Sequence, residues 1–140
     1  MMSGADQHTI ETMSRFGEAI GVAFQLADDI VDITSDSDQS GKTPGTDLKE
    51  GVPTLAALIA RTSLDPSDAA LIEMLSRPLP DPQEHAQALE LLRNHDAVQS
   101  AREEALRWAA EAQRSLDLIP DSAAKDGLLA ICGYVVNRTA

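Results

Sequence analysis

The sequence predicts an all-α fold, and three observations lead to that prediction. Apolar residues recur every three or four positions through most of the 140 residues, which is the period of a helix. No stretch shows the strict alternation of apolar and polar residues that is typical of a half-buried strand. Aromatic residues, which favour strands, make up only 3% of the chain. We therefore expect a single all-α unit over residues 1–140.

The first helix is predicted from a cap at Asp6 to about Thr34. Its apolar seam is expected to pack inward and consists of Met13, Ile20, Phe24, Ala27 and Val31. A polar loop over residues 35–51 follows it. Pro53 suits the first turn of a second helix over residues 54–61, because its missing N–H has no partner there in any case.

Four further helices are predicted, over residues 67–76, 83–94, 97–118 and from Asp121 or Ser122 to Arg138. The RPLPDP stretch separates the first two, and Pro120 ends the third. The expected inward residues of these helices include Leu71, Ile72 and Leu75, then Ala101, Ala105, Trp108, Ala112 and Leu116.

Three aspartates lie at the end of the first helix, in the order Asp-Asp-x-x-Asp. Asp28 and Asp32 are four residues apart and share a helix face, about 6 Å apart along the axis, with Asp29 on the flank. Like charges at this spacing cost a helix roughly 0.2–0.5 kcal/mol per pair. Carboxylate oxygens are ligands for a hard cation, so the cluster predicts a magnesium site.

The residues around the cluster suggest what the cation would hold. Glu18, Gly21 and Gln25 precede it on the same helix face, and Gly21 leaves room beside them. Lys42 follows in a glycine-rich loop. A cation next to a carboxylate cluster is what a magnesium-bound phosphate requires.

The run FQLADDIVDI followed by GKTPGTDLKEGVPTL resembles the second aspartate-rich region of the trans-polyprenyl diphosphate synthases. Those enzymes show Phe-Gln, Asp-Asp-x-x-Asp, Gly-Lys, Gly-x-Asp and Pro-Thr-Leu in this order. The resemblance implies that Asp28, Asp29 and Asp32 bind Mg²⁺ bridging to an allylic diphosphate. It also implies that Gln25 lines the pocket, that Lys42 contacts the diphosphate, and that Asp47 supports the metal site or the lysine.

The resemblance implies the C-terminal half of the all-α isoprenoid (terpenoid) synthase fold. The family's first aspartate-rich motif, its arginine pair and its Gly-x-Lys-Arg region do not occur in this sequence. The implied activity is a prenyltransferase that joins isopentenyl diphosphate to an allylic diphosphate. Without the missing N-terminal half, we expect the chain to be inactive alone and either loosely packed or a homo-oligomer. Product chain length is not predicted.

Two other interpretations remain open at this stage. Asp36, Asp38, Ser40 and Gly41, with Asp47 at the twelfth position, imitate a calcium-binding EF-hand loop, although Thr43 and the short Asp47 depart from that pattern. The chain also fits a non-catalytic helical interaction module.

The composition of the chain limits the classes of molecule that it is expected to bind. The net charge of −12 argues against nucleic acid and anionic membrane surfaces, and a divalent metal would supply the positive charge that a phosphate substrate needs. Cys132 is the only cysteine and suits a core position. No run is long enough to span a membrane and the start lacks signal-peptide character, so we expect a cytoplasmic protein.

The remaining charged side chains are expected at the surface. His8, His85 and His95 stand on separate polar stretches, which favours surface positions over metal ligation. The basic residues from Arg93 to Arg114 are expected to be helix-surface charges paired with neighbouring glutamates.

Overall fold

The computed structural model describes residues 4–35 and 44–139, except for the side chains of residues 4–6. Within these ranges the regular structure is entirely helical, which confirms the all-α prediction. The α-helices are α1 (Gly4–Thr34), α2 (Thr46–Glu50), α3 (Leu55–Arg61), α4 (Ala69–Leu75), α5 (Pro82–Arg93), α6 (Asp96–Leu116) and α7 (Ala123–Thr139), with a 3₁₀ turn at Pro66–Asp68 before α4.

Two local predictions were wrong. Helix α2 lies within the stretch predicted as a loop, and it is bounded by Gly45 and Gly51, which both have left-handed backbone angles near φ +75°. Pro53 lies outside α3, because Thr54 is the N-cap and its hydroxyl accepts from the N–H of Ala57 at 3.3 Å. Short helices of this kind carry too little periodicity to be read from sequence.

The chain divides into two compact units. The first contains α1 up to Ala27 and the chain from Glu103 onward, and the second runs from Asp28 to Arg102. The expectation of one all-α unit over residues 1–140 stays a prediction.

The core of the first unit is built from small side chains of α1, α6 and α7. Its buried residues are Phe16, Ala19, Ala23, Ala27, Ala109, Ala112, Leu116, Cys132 and Val135. Trp108 is half-buried and packs against this core. The predicted α1 seam was therefore partly wrong, since Met13 and Phe24 are 36% and 42% exposed. The alanines let neighbouring helices approach closely, so the buried stripe follows them rather than the largest apolar residues.

The second unit has its own apolar core. Fully buried members include Leu71, Leu79 and Leu92, which are at most 2% exposed. Helix α2 contributes Leu48, and the carbonyl of Lys49 accepts from the N–H of Leu79 at 2.9 Å. These contacts hold the segment after residue 43 against the rest of this unit. Across the described ranges, none of the helices is long and apolar enough to cross a membrane.

Candidate functional site

The three predicted aspartates occupy the last two turns of α1. Asp28, Asp29 and Asp32 are all half-buried, and Asp28 and Asp32 share one face at the spacing of one helical turn. Gln25 stands one turn earlier on the same helix, exposed, in the part that belongs to the first unit. The structure therefore orders the aspartates along a helix end, as the sequence predicts.

Asp32 is tied to the segment that follows the loop. Its backbone carbonyl accepts from the N–H of Gly45 at 2.8 Å, and its carboxylate accepts from the N–H of Asp47 at 3.4 Å. The structure thus brings together two of the predicted site residues, Asp32 and Asp47, which are 15 positions apart.

Gly45 forms the turn that makes this contact possible. Its backbone is left-handed at φ +75°, and a β-carbon there would stand 2.8 Å from Nε2 of His85 and 3.0 Å from Leu89 Cδ1. The carbonyl of Gly45 is also 2.8 Å from His85 Nε2. His85 is half-buried and holds the turn through this contact. The surface position expected from the sequence did not suggest this role.

The electrostatics of the turn favour a cation. Burial raises the pKa of the Asp47 carboxyl, and the nearby charges of Asp32 and Glu50 raise it further. The carboxylates of Asp32 and Glu50 thus lie close enough to Asp47 to repel its negative charge. A divalent cation bound there would relieve that repulsion.

Arg93 has a different place from the one expected. Its guanidinium donates from Nε to the carbonyl of Ile33 at 2.7 Å and from Nη2 to the carbonyl of Ser35 at 2.9 Å. It therefore caps the end of α1 instead of forming a surface pair with a glutamate. Arg107 and Arg114 follow the expectation, since Arg107 pairs with Glu104 and Arg114 with Glu111. Arg102 does not, because its Nε is buried without a hydrogen-bond partner among the residues that the structure describes.

Both ring nitrogens of His95 form hydrogen bonds within the chain. Its Nδ1 accepts from the N–H of Ala97 at 3.0 Å, so Nε2 carries the proton and donates to Asp68 at 2.9 Å. Ser63 donates to the same carboxylate at 2.5 Å. These contacts join residues before and after α4 and α5, which is a structural role.

Some predicted positions are not placed. Lys42 lies outside the described residues, and so do Asp36, Asp38 and the rest of the calcium-loop pattern before Pro44. Among the residues that are described, no three His, Cys, Asp or Glu side chains gather closely enough to hold a metal ion by themselves. A metal at this helix end would therefore need oxygen ligands from a bound anion as well.

Sequence reasoning missed the contacts of His85 and Arg93, and it included Gly45 only as part of the Gly-x-Asp motif. Gly45 carried a signal, because Thr-Pro-Gly between two polar stretches is typical of a turn. Neither His85 nor Arg93 stands in a motif, so only the tertiary structure reveals their contacts with the aspartate helix and the turn after it.

Comparison with known proteins identifies the family that this chain matches. The sequence model described as "Polyprenyl synthetase" matches residues 1–92. Nonaprenyl diphosphate synthase of Mycobacterium tuberculosis is 44% identical over 138 residues, which are 99% of this chain and 41% of that protein.

Solved structures agree. Geranylgeranyl pyrophosphate synthase from Corynebacterium glutamicum, complexed with calcium and isoprenyl diphosphate, superposes with a TM-score of 0.86 at 38% identity, covering 95% of this chain and 41% of that one. Polyprenyl synthase from Caulobacter crescentus, with the same ligands, gives 0.84 at 29% identity, covering 96% and 42%. The chain thus spans about two fifths of the length of each of these three relatives.

Proposed function

Because the chain belongs to the polyprenyl synthetase family, we propose that it forms the second aspartate-rich wall of a prenyltransferase site. The complete reaction joins isopentenyl diphosphate to an allylic diphosphate. The fold is the all-α isoprenoid synthase fold, of which this chain is one part. Two structural relatives were solved in complex with calcium and isoprenyl diphosphate, and a divalent cation and a diphosphate are the ligands that we propose for this wall.

We assign Asp28, Asp29 and Asp32 as magnesium ligands. Their oxygens suit a hard cation. Such a cation would also relieve the repulsion between the carboxylates of Asp32 and Asp47. A bound Mg²⁺ supplies positive charge to the diphosphate as it departs. The residues of this chain hold the aspartates along one helix end and keep Asp32 directed at the turn.

Lys42, Gln25 and Asp47 complete the proposed wall. Lys42 precedes Gly45 by three residues in the sequence, and we assign its ammonium group the role of a point charge on the diphosphate. Gln25 adds an amide on the same helix face as Asp28. Asp47 supports the site through its N–H, which donates to the Asp32 carboxylate.

We also propose that the remainder of the family's fold packs on the first unit. One face of α1 carries Ile10, Met13 and Phe24, which are 49%, 36% and 42% exposed, with open space beside Gly17. An exposed apolar face of this kind promotes association. The chain alone is therefore proposed to be inactive and to associate with itself when the rest of the fold is not supplied.

The observation that carries the proposal is the closure of the Gly45–Asp47 segment on Asp32. It holds Asp47 against Asp32, so two residues that the family resemblance assigns to one diphosphate site lie together. Calorimetry with magnesium and inorganic diphosphate tests it. The Asp28→Asn variant should bind at least about tenfold more weakly, since removing a charged ligand from a partly buried site costs about 1.4 kcal/mol or more.

The matched control is Asp117→Asn, an exposed carboxylate in the first unit. It should bind like the unaltered chain. Equal binding by Asp28→Asn would remove the cluster from the mechanism, and absence of binding by the unaltered chain would refute the site itself.

A further inference from the structure

The end of α1 depends on groups from elsewhere in the chain. The last turns of a helix leave carbonyls without helical partners, and the last turn of α1 has no basic residue of its own. The carbonyl of Asp32 is bonded by Gly45, and those of Ile33 and Ser35 are bonded by Arg93. The helix end that bears the aspartates is thus capped from α5 and from the turn before α2.

The geometry of Arg93 suits this task. It is the last residue of α5, and its half-buried guanidinium reaches two carbonyls of the main chain with two different nitrogens, at 2.7 and 2.9 Å. A planar guanidinium presents several donors in fixed directions, whereas a lysine ammonium is a single point charge. The fixed donors of the guanidinium therefore hold the carbonyls of Ile33 and Ser35 in one orientation, which the rotating donors of an ammonium group enforce less strictly.

Its charge matters as well as its geometry. The carboxyl end of a helix carries partial negative charge, and three aspartates lie within its last two turns. Arg93 places a permanent positive charge at that end, and the two hydrogen bonds described above go to main-chain carbonyls rather than to the carboxylates. The aspartate side chains therefore need not be neutralised by it directly.

We propose that Arg93 is a positioning residue for the aspartate site, fixing the last turn of α1 so that Asp28 and Asp32 meet the metal and its diphosphate together. This inference rests on the proposed function. In this role Arg93 touches neither metal nor substrate and acts through the backbone of α1.

The test uses the full chain and two variants, Arg93→Gln and Arg93→Lys. The control is Asp81→Ala, which removes the N-cap contact to Gln83 at the opposite end of the same helix. Two quantities are measured at a temperature where circular dichroism shows every variant folded. They are the affinity for inorganic diphosphate in the presence of Mg²⁺, and the hydrogen exchange of the amides of Ser35 and Gly45.

Both Arg93 variants should exchange the Ser35 and Gly45 amides at least about tenfold faster and bind diphosphate about tenfold more weakly, which is the size of one strong interaction. Asp81→Ala should leave the diphosphate affinity and the exchange of the Ser35 amide unchanged even if it lowers the unfolding temperature. The Gly45 amide is compared only between the Arg93 variants and the unaltered chain, because His85 in the first turn after Asp81 also contacts Gly45. That contrast separates positioning from general stability.

Three results would overturn the inference. Arg93→Gln could bind diphosphate as well as the unaltered chain, or Arg93→Lys could restore full binding, which would show that charge alone suffices. Asp81→Ala could lose affinity equally, which would show that the effect follows stability. Failure of the unaltered chain to bind is a different result, because it refutes the proposed function while amide exchange still reports whether Arg93 holds the helix end.

Discussion

The backbone N–H of Gly45 donates to the backbone carbonyl of Asp32 at 2.8 Å. This bond joins the last turn of α1 to the residue that precedes α2. It sets the N–H of Asp47 toward the carboxylate of Asp32. The turn that holds Asp32 and Asp47 together therefore depends on a single glycine.

Replacing that glycine should damage the fold of the second unit. Gly45→Ala forces a left-handed backbone on a residue with a β-carbon, which costs about 1–2 kcal/mol, and the new methyl would meet His85 at 2.8 Å. We expect a loss of at least about 1 kcal/mol in the free energy of unfolding, measured by urea denaturation.

Gly17→Ala is the matched control. Gly17 is inside α1, and a β-carbon added there would have open space around it, so alanine should be neutral or stabilising by up to about 1 kcal/mol. If Gly45→Ala were as stable as Gly17→Ala, the turn would not constrain the site as described.

Lys42→Ala should weaken diphosphate binding and spare the metal, because lysine acts as a point charge on phosphate. Diphosphate affinity is measured by calorimetry at fixed Mg²⁺, and metal affinity by titration with Mn²⁺. Lys49→Ala, at an exposed position in the last turn of α2, serves as the control. If both lysine variants lost the same diphosphate affinity, the loss would follow from the change in net charge and not from a contact between Lys42 and the diphosphate.

The same titrations decide the calcium interpretation. Tight binding of calcium without diphosphate, abolished by Asp36→Ala, would replace the diphosphate site with an EF-hand-like loop. We expect calcium alone to bind weakly and Asp36→Ala to change diphosphate affinity little.

Acid should weaken the second unit through Asp68. Hydrogen bonds from Ser63 and then His95 lower the pKa of this carboxyl below its ordinary value of 3.8. A group whose folded pKa is depressed stabilises the fold above its unfolded pKa, and that stability is lost as the pH falls through the folded pKa. The unfolding midpoint should therefore fall with pH below about 4, and less steeply in Asp68→Asn. An identical acid dependence in Asp68→Asn would show that other carboxylates control it, with Asp117→Asn as the control.

The chain alone should not elongate an allylic diphosphate. Light scattering should show association or a loosely packed species, and an assay with labelled isopentenyl diphosphate should show no product. Supplying the rest of the family's fold as a second polypeptide should restore some activity. A compact monomer with full activity would contradict the proposed incompleteness.

The sequence predicted the helices well where they are long. The end of α1, the proline break before α5 and the buried alanine seam of α6 all follow from periodicity and from helix start and stop signals. The seam of α1 was harder, because alanines rather than Met13 and Phe24 face the core. Hydrophobic size is a poor guide where close helix packing selects small residues.

The candidate site was predicted only in part. Asp32 and Asp47 were chosen from their motif, and the structure places them in contact. Arg93 could not be chosen, since its partners are main-chain carbonyls 58 and 60 positions away. Contacts of that kind leave no pattern of residue types in a single sequence.

The central claim is that a metal binds at the end of α1 together with diphosphate. Manganese replaces magnesium at oxygen sites and broadens the NMR signals of nearby nuclei. With Mn²⁺ and inorganic diphosphate together, we expect broadening of the amides of residues 28–32 and 45–47, and much less with Mn²⁺ alone. Broadening centred on other carboxylates, such as those around Asp65 and Asp68, would contradict the claim.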